Sequence, residues 1–141
     1  MKTLKFDITI NASAEKVWSK LWNDVSYRKW SAVFYEGSYV ETDWKQGSKV
    51  KFMAPSGDGM FSKIKNIEPN KKMTFEHLGS IMDGKEIPSE WAGAIEEYIL
   101  NEKNGKTILN VSVDIIEKYE DYFQKTFPLA LQKIKELAEK K

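Results

Sequence analysis

His77 is the only histidine in the chain, and Glu96 interrupts an otherwise apolar strand face. By type and place, these two side chains could do chemistry. Histidine titrates near neutral pH and can serve as a general base. The period of two through Met73, Phe75 and His77 puts it on the face of its strand that would line a pocket. No nucleophile stands next to it in sequence, and the adjacent Glu76 falls on the opposite face of the strand, so a structural or solvent-facing role is the competing reading. Glu96 is placed by a turn. Asn104-Gly105 lies between two alternating runs and predicts a type I′ hairpin, because both central residues must take positive φ. A two-residue turn pairs Lys103 with Lys106, and so Leu100 with Leu109, Tyr98 with Val111 and Glu96 with Val113. A carboxylate on that face could fix the polar end of a ligand, or act as an acid or base with a pKa raised by desolvation. The alternative is a strand-end residue near the rim, paired with a lysine or with Tyr98.

Aromatic residues surround these two in the sequence pattern. Trp18, Trp30, Phe61, Phe75, Trp91, Tyr98, Phe123 and Phe127 come from elements expected to converge. Such residues line sites for flat apolar molecules, and they also fill ordinary cores. A few are expected to border a cavity and the rest to pack. All but Trp18, with His77 and Glu96, form the candidate ligand-binding set. No residue is assigned a catalytic role.

Composition removes other chemistries. There is no cysteine, which excludes disulfides, thiolate catalysis and cysteine-ligated metal centres. One histidine and scattered acidic residues supply no ligand spacing for a metal. Gly57-Asp58-Gly59 lacks the pattern of a phosphate loop, and no cofactor is expected. The formal net charge is +1, so no global field recruits nucleic acid or a membrane surface. The lysine pairs Lys63/Lys65, Lys71/Lys72 and Lys133/Lys135 alternate with apolar residues, as on solvated faces. Nucleic-acid binding by stacking would need exposed aromatics beside basic residues, whereas the pattern predicts buried ones. No apolar run approaches the roughly 18 residues of a membrane span. The N-terminus alternates as a strand does and is not a signal segment. A soluble, cytoplasmic protein is expected, with one domain over residues 1–141.

The elements that must position the site follow from periodicity. Leu4, Phe6, Ile8 and Ile10 alternate as a first strand. Ser13 predicts an N-cap, with Glu15 in the first turn. Val17/Leu21 and Trp18/Trp22 then give a helix a broad apolar face. Asn23-Asp24 interrupts it before a second short helix through Val25, Tyr27 and Trp30. Strands are expected at Tyr39–Thr42, around Val50 and Phe52, at Phe61–Ile67 and at Met73–Leu78. Pro55 to Gly59 is a breaker cluster and predicts a mobile loop. Gly79 to Glu90 is the least regular stretch and predicts a long loop over the pocket mouth. An amphipathic helix from about Tyr119 to Lys140 ends the chain. Its stripe is Phe123, Phe127, Ala130, Leu131, Ile134 and Leu137, with a kink or restart at Pro128. The result is an α+β fold in which an antiparallel sheet grips the C-terminal helix.

Several segments in this order resemble the START-like, helix-grip superfamily (the birch-pollen-allergen fold). The closest likeness is to the activator of heat-shock-protein-90 ATPase homologue-like family. Ile10-Asn11-Ala12-Ser13-Ala14-Glu15-Lys16-Val17-Trp18 resembles that family's opening strand and helix start. Trp44-Lys45-Gln46-Gly47-Ser48-Lys49-Val50 resembles its turn into the third strand. Gly59 through Phe75, with Ile67-Glu68-Pro69 inside it, is similar to its central hairpin, and Gly105-Lys106-Thr107-Ile108-Leu109 to its closing one. The resemblance spans nearly the whole chain and implies a seven-stranded antiparallel sheet wrapped on the long C-terminal helix.

For function, the resemblance leaves three classes open, since the superfamily holds carriers, receptors and cyclases. The first is a module enclosing a hydrophobic or amphipathic small molecule between sheet and helix. The second is a cyclase- or hydrolase-type enzyme using Glu96 or His77 with Tyr98. The third is a stress-related chaperone-interaction domain acting through its outer surface. In the eukaryotic co-chaperones this domain is only the C-terminal half. Their N-terminal chaperone-binding domain has no counterpart in these 141 residues, so activation of a chaperone ATPase is not expected.

Overall fold

Alternation at the N-terminus forms β1 (Lys2–Ile10), with Leu4 and Ile10 turned into the core and Lys5, Asp7 and Thr9 exposed. The computed structural model of the chain describes residues 1–140. Ser13 caps α1 (Ala14–Trp22) by accepting the Lys16 N–H at 3.2 Å. Asn23, held in an extended conformation, ends α1 and starts α2 (Asp24–Ser31), its side chain accepting the Val25 N–H at 3.0 Å. One residue thus closes one helix and opens the next.

The strands that follow are β2 (Tyr39–Glu41), β3 (Lys49–Met53), β4 (Gly59–Glu68), β5 (Lys72–Met82), β6 (Lys85–Pro88), β7 (Ile95–Lys103) and β8 (Lys106–Ile115). A 3-10 turn (Glu117–Tyr119) leads into α3 (Glu120–Glu139). Seven strands lie in the order β1-β8-β7-β5-β4-β3-β2, with β6 paired to β5 off that path, and all pairings are antiparallel. Asn104-Gly105 takes positive φ at both residues (55° and 78°) and sets Glu96 opposite Val113, Tyr98 opposite Val111 and Leu100 opposite Leu109. That face of the hairpin is the core face.

Three expectations need correction. The irregular stretch after Leu78 is not a long loop. β5 continues to Met82 and turns at Asp83-Gly84, both with positive φ, into β6. All four residues of β6 are exposed, so no apolar alternation marks it. The breaker cluster at Pro55 is a closed turn, with Ala54 donating to the Asp58 carbonyl at 2.8 Å and Gly57 to the Ala54 carbonyl at 3.0 Å. The last helix does not restart at Pro128 but runs unbroken through it. Proline forfeits one backbone hydrogen bond, but Phe127, Ala130, Leu131 and Ile134 are buried on both sides of it and hold the two halves to the core.

α3 packs on β1, α1 and α2. Phe127 stacks on Phe6 of β1 at 5.1 Å between ring centres. No described helix is long and apolar enough to cross a membrane. The helix phase can be tested directly. Leu131 is buried (3% exposed) and Leu129 is not (57%). Leu131→Ala should lower the unfolding free energy by about 2–5 kcal/mol. Leu129→Ala should stay within about 0.5 kcal/mol. Denaturant midpoints of the two variants check this, and equal shifts would mean the helix is rotated.

Candidate functional site

The site starts from how β5 pairs on its two sides. On one side Phe75 lies opposite Glu96 of β7, which makes His77 and Glu96 diagonal neighbours on one face. On the other side the register with β4 shifts. Ser62 pairs with His77 and Phe61 with Gly79, so Leu78 is the extra residue of a bulge. Beyond the bulge, β6 passes so close to Gly79 that a Cβ there would meet the Ile87 carbonyl oxygen at 2.3 Å. Only glycine fits.

These pairings bring four polar side chains into one line. The Ser62 hydroxyl lies 2.6 Å from His77 Nδ1, and His77 Nε2 lies 2.9 Å from Glu96 Oε1. The Tyr98 hydroxyl donates to Glu96 Oε2 at 2.5 Å. Burial pushes the Glu96 carboxyl up, but the His77 hydrogen bond and charge, with the Tyr98 hydroxyl, outweigh it. The carboxyl is held below its ordinary value. His77 Nε2 therefore carries the proton it shares with an ionised Glu96. The Tyr98 phenol is raised well above its ordinary value by burial first and by Glu96 second. Tyr27 is raised too, again by burial and then by the Glu96 charge. Both phenols stay protonated, and that of Tyr98 donates to Glu96.

The line opens onto a cavity of about 540 Å³ between the sheet, α2 and the start of α3. His77, Glu96 and Tyr98 form part of its wall, together with Trp30, Phe75 and Trp91, and Phe123 and Phe127 close it from α3. Ser62 is fully buried and does not reach the cavity. Serine, histidine and carboxylate thus follow one another as in a nucleophilic triad, but reversed, with the serine at the closed end. Ser62 can orient His77 and cannot attack a substrate. The arrangement can hold a proton at Nε2 and receive hydrogen-bond donors at the carboxylate. It does not form a metal site or a nucleophile.

Phe61 stands apart from the other candidates. It lies on the outer face of β4, with the Lys49 ammonium 5.7 Å from its ring centre, and it does not line the cavity. Its period already grouped it with Lys63 and Lys65. The inward set is Met60, Ser62 and Ile64. Trp18 packs beside Trp22 at the edge of the core and also stays outside the cavity. His77 is not solvent-facing (4% exposed), and Glu96 pairs with His77 and Tyr98, not with a lysine.

The family described as Activator of Hsp90 ATPase homolog 1-like protein matches residues 11–139. The chain belongs to that family. No curated protein matches the chain. Among solved structures, the Aha1 dimer from Colwellia psychrerythraea is similar over 99% of this chain and 97% of that one, at 22% identity and a TM-score of 0.77. Protein MLL2253 from Mesorhizobium loti is similar over 96% of each chain, at 15% identity and a TM-score of 0.75. CalU16 from Micromonospora echinospora is similar over 96% of this chain and 75% of that one, at 16% identity and a TM-score of 0.69. At these identities the likeness shows the helix-grip fold of the family.

Within this family fold, sequence reasoning missed Ser62, Trp22 and Tyr27. Period two with Met60 and Ile64 was the signal for Ser62. The i to i+4 row from Trp18 was the signal for Trp22, and position three residues before Trp30 the signal for Tyr27. The Glu96 geometry fixes a pH dependence. Its folded pKa is depressed, so its stabilisation is full above the ordinary carboxylate value of about 4.3 and is lost as pH falls through the folded value. Glu96→Gln should cost about 1.5–3 kcal/mol at pH 7. That difference should shrink toward about pH 3. Urea midpoints of wild type and variant across that range measure it, and a gap that widens on acidification would contradict the assignment.

Proposed function

We propose that the protein encloses a hydrophobic or amphipathic small molecule in the cavity between the sheet and the C-terminal helix, as a single cytoplasmic ligand-binding domain. The observation that carries this reading is the combination of an apolar cavity of about 540 Å³ with one buried polar group in its wall. Sites for small molecules are typically roughly 300–1,000 Å³, mostly apolar, with a few fixed polar groups. Trp30, Phe75, Trp91, Phe123 and Phe127 supply the apolar surface, and the His77–Glu96–Tyr98 group orients the polar end. Tyr35, Tyr119 and Tyr122 line the cavity and are also exposed, which places its mouth between α2 and the start of α3.

A second reading is favoured by one observation, the histidine–carboxylate pair inside an apolar wall. Such a pair can move a proton on a bound molecule, which is the cyclase- or hydrolase-type alternative with Glu96 and His77 as the acid–base pair. Ser62 is excluded as a nucleophile by its position. Retained ligand binding with lost turnover in Glu96→Gln would select this reading over simple binding.

Nile red, an uncharged environment-sensitive dye, should bind the native protein at one molecule per chain. Ala54 lines the cavity without being fully buried, so Ala54→Trp fills space and leaves the core alone. It should weaken dye binding about tenfold or more. Fluorescence titration with thermal melting as a fold control measures this. A dye that binds both proteins equally would place its site elsewhere.

A further inference from the structure

The cavity wall is one-sided in charge. Among the described residues, no lysine or arginine lines it, and Glu96 is the carboxylate on its inner face. Asp114, also at the cavity, alternates onto the outer face between Val113 and Ile115 and bonds Thr3 and the Ile95 N–H. The Glu96 carboxyl, held below its ordinary value, is ionised at neutral pH. Its neighbour His77 does not cancel that charge. An imidazolium, whose charge holds the Glu96 carboxyl down on acidification, would turn an Nδ1–H onto Ser62 and strand the hydroxyl proton. His77 is the one partner of the buried Ser62 side chain. With Ser62 donating to Nδ1, the ring keeps a single proton on Nε2 and is uncharged. The inner wall thus bears one negative charge with nothing of opposite sign beside it.

Nor is that charge used up. Each Glu96 oxygen accepts one hydrogen bond, from His77 or from Tyr98, whereas a carboxylate offers about four acceptor positions. The Glu96 side chain keeps 18% of its surface accessible, and that surface faces the cavity because Glu96 lies on the core face of the hairpin. Rings with accessible surface stand close by. Phe52 meets the His77 ring edge-on at 5.9 Å. Trp91, only partly buried, lies on the turn that Gly93 and Ala94 tie to the His77 backbone by bonds of 2.8 Å. Aromatic faces attract cations. Tyr39, another lining ring, already carries one. The Arg28 guanidinium lies 5.1 Å over it, paired with Asp24 and outside the lining.

Taking the cavity as a ligand site, as proposed above, we infer that it takes protonated amines: the apolar body of the ligand lies between the sheet and α3, and its ammonium donates to the free acceptor positions of Glu96, with the Phe52 and Trp91 rings beside it. An ammonium there neutralises the Glu96 charge. An anion would add to that charge in a low-dielectric wall with no counter-ion.

Three naphthalenes of matched size separate the possibilities: 2-(aminomethyl)naphthalene, whose ammonium is charged at pH 7.5, the uncharged 2-naphthalenemethanol and the anionic 2-naphthoate. Each is measured by equilibrium dialysis against the full chain at that pH. The amine should bind about tenfold or more tighter than the alcohol, the worth of a charge-assisted hydrogen bond. The naphthoate should bind more weakly than the alcohol. Glu96→Gln should bring the amine's lead over the alcohol down to about twofold or less, with thermal melting as a fold control. Phe52→Leu should cut the lead about threefold, and it decides the matter if the Gln variant does not fold. An amine no tighter than the alcohol, a naphthoate tighter than the alcohol, or a lead that survives the deciding variant would overturn the inference and leave the cavity reading standing. Binding of none of the three would remove the cavity reading and this one with it.

Discussion

A carboxylate inside an apolar wall must be met by donated protons or lose its charge, and the architecture around Glu96 is organised by that requirement. The donors are His77, two residues along and one strand over, and Tyr98, two residues along the same strand. His77 reaches Glu96 because β5 pairs with β7 so that Phe75 lies opposite Glu96, while the tight turn at Asn104-Gly105 fixes β7 against β8 and so the face that Glu96 and Tyr98 share. A slip by one residue would send Glu96 to solvent and turn Tyr98, Leu100, Leu109 and Val111 outward with it. Core packing and site electrostatics thus share one alignment. Neither can be changed without the other.

The same dependence extends to the helices. Asn23 holds α1 and α2 at a fixed elbow, and the elbow carries Trp22 against Tyr98, Phe75 and Trp44. From the far side α3 brings Phe123 and Phe127, which meet each other, and Phe127 also meets Phe34 and Phe6. The cavity lies where three walls, each set by its own short-range signal, stop short of filling the middle. Its polar group sits on the sheet wall, the one fixed by the longest ladder of hydrogen bonds. The helices supply mostly ring surface.

Local signals made most of the fold legible. Ser13, Asn23 and Asn104-Gly105 each act within a few residues, and each is where the sequence pattern placed it. Glu96 was legible for the same reason, since its face follows from counting back from a turn. Asp83-Gly84, like Asn104-Gly105, is a two-residue turn with positive φ at both positions, yet the pattern around it predicts a loop. Its outgoing strand is exposed along its whole length, so the alternation that would have announced a hairpin is missing. Phe61 was misplaced by residue type, its aromatic ring outweighing a period that grouped it with lysines. The link from Ser62 to His77 depends on a register shift between β4 and β5 that neither strand carries in its own sequence.

The bulge at Leu78 gives the site an unusual kind of inheritance. Leu78 has no partner across the β4–β5 ladder, and its side chain makes none of the hydrogen bonds of the polar line. What it contributes is one unit of length. Many residue types could stand there over evolutionary time without disturbing the histidine, and deletion of Leu78 would leave Ser62 opposite His77 and Phe61 opposite Gly79 as successive pairs of a regular ladder. Related chains can therefore differ by one residue here and keep the polar line. The trait to follow among them is the pairing of Ser62 with His77, not the count of residues between His77 and Gly79.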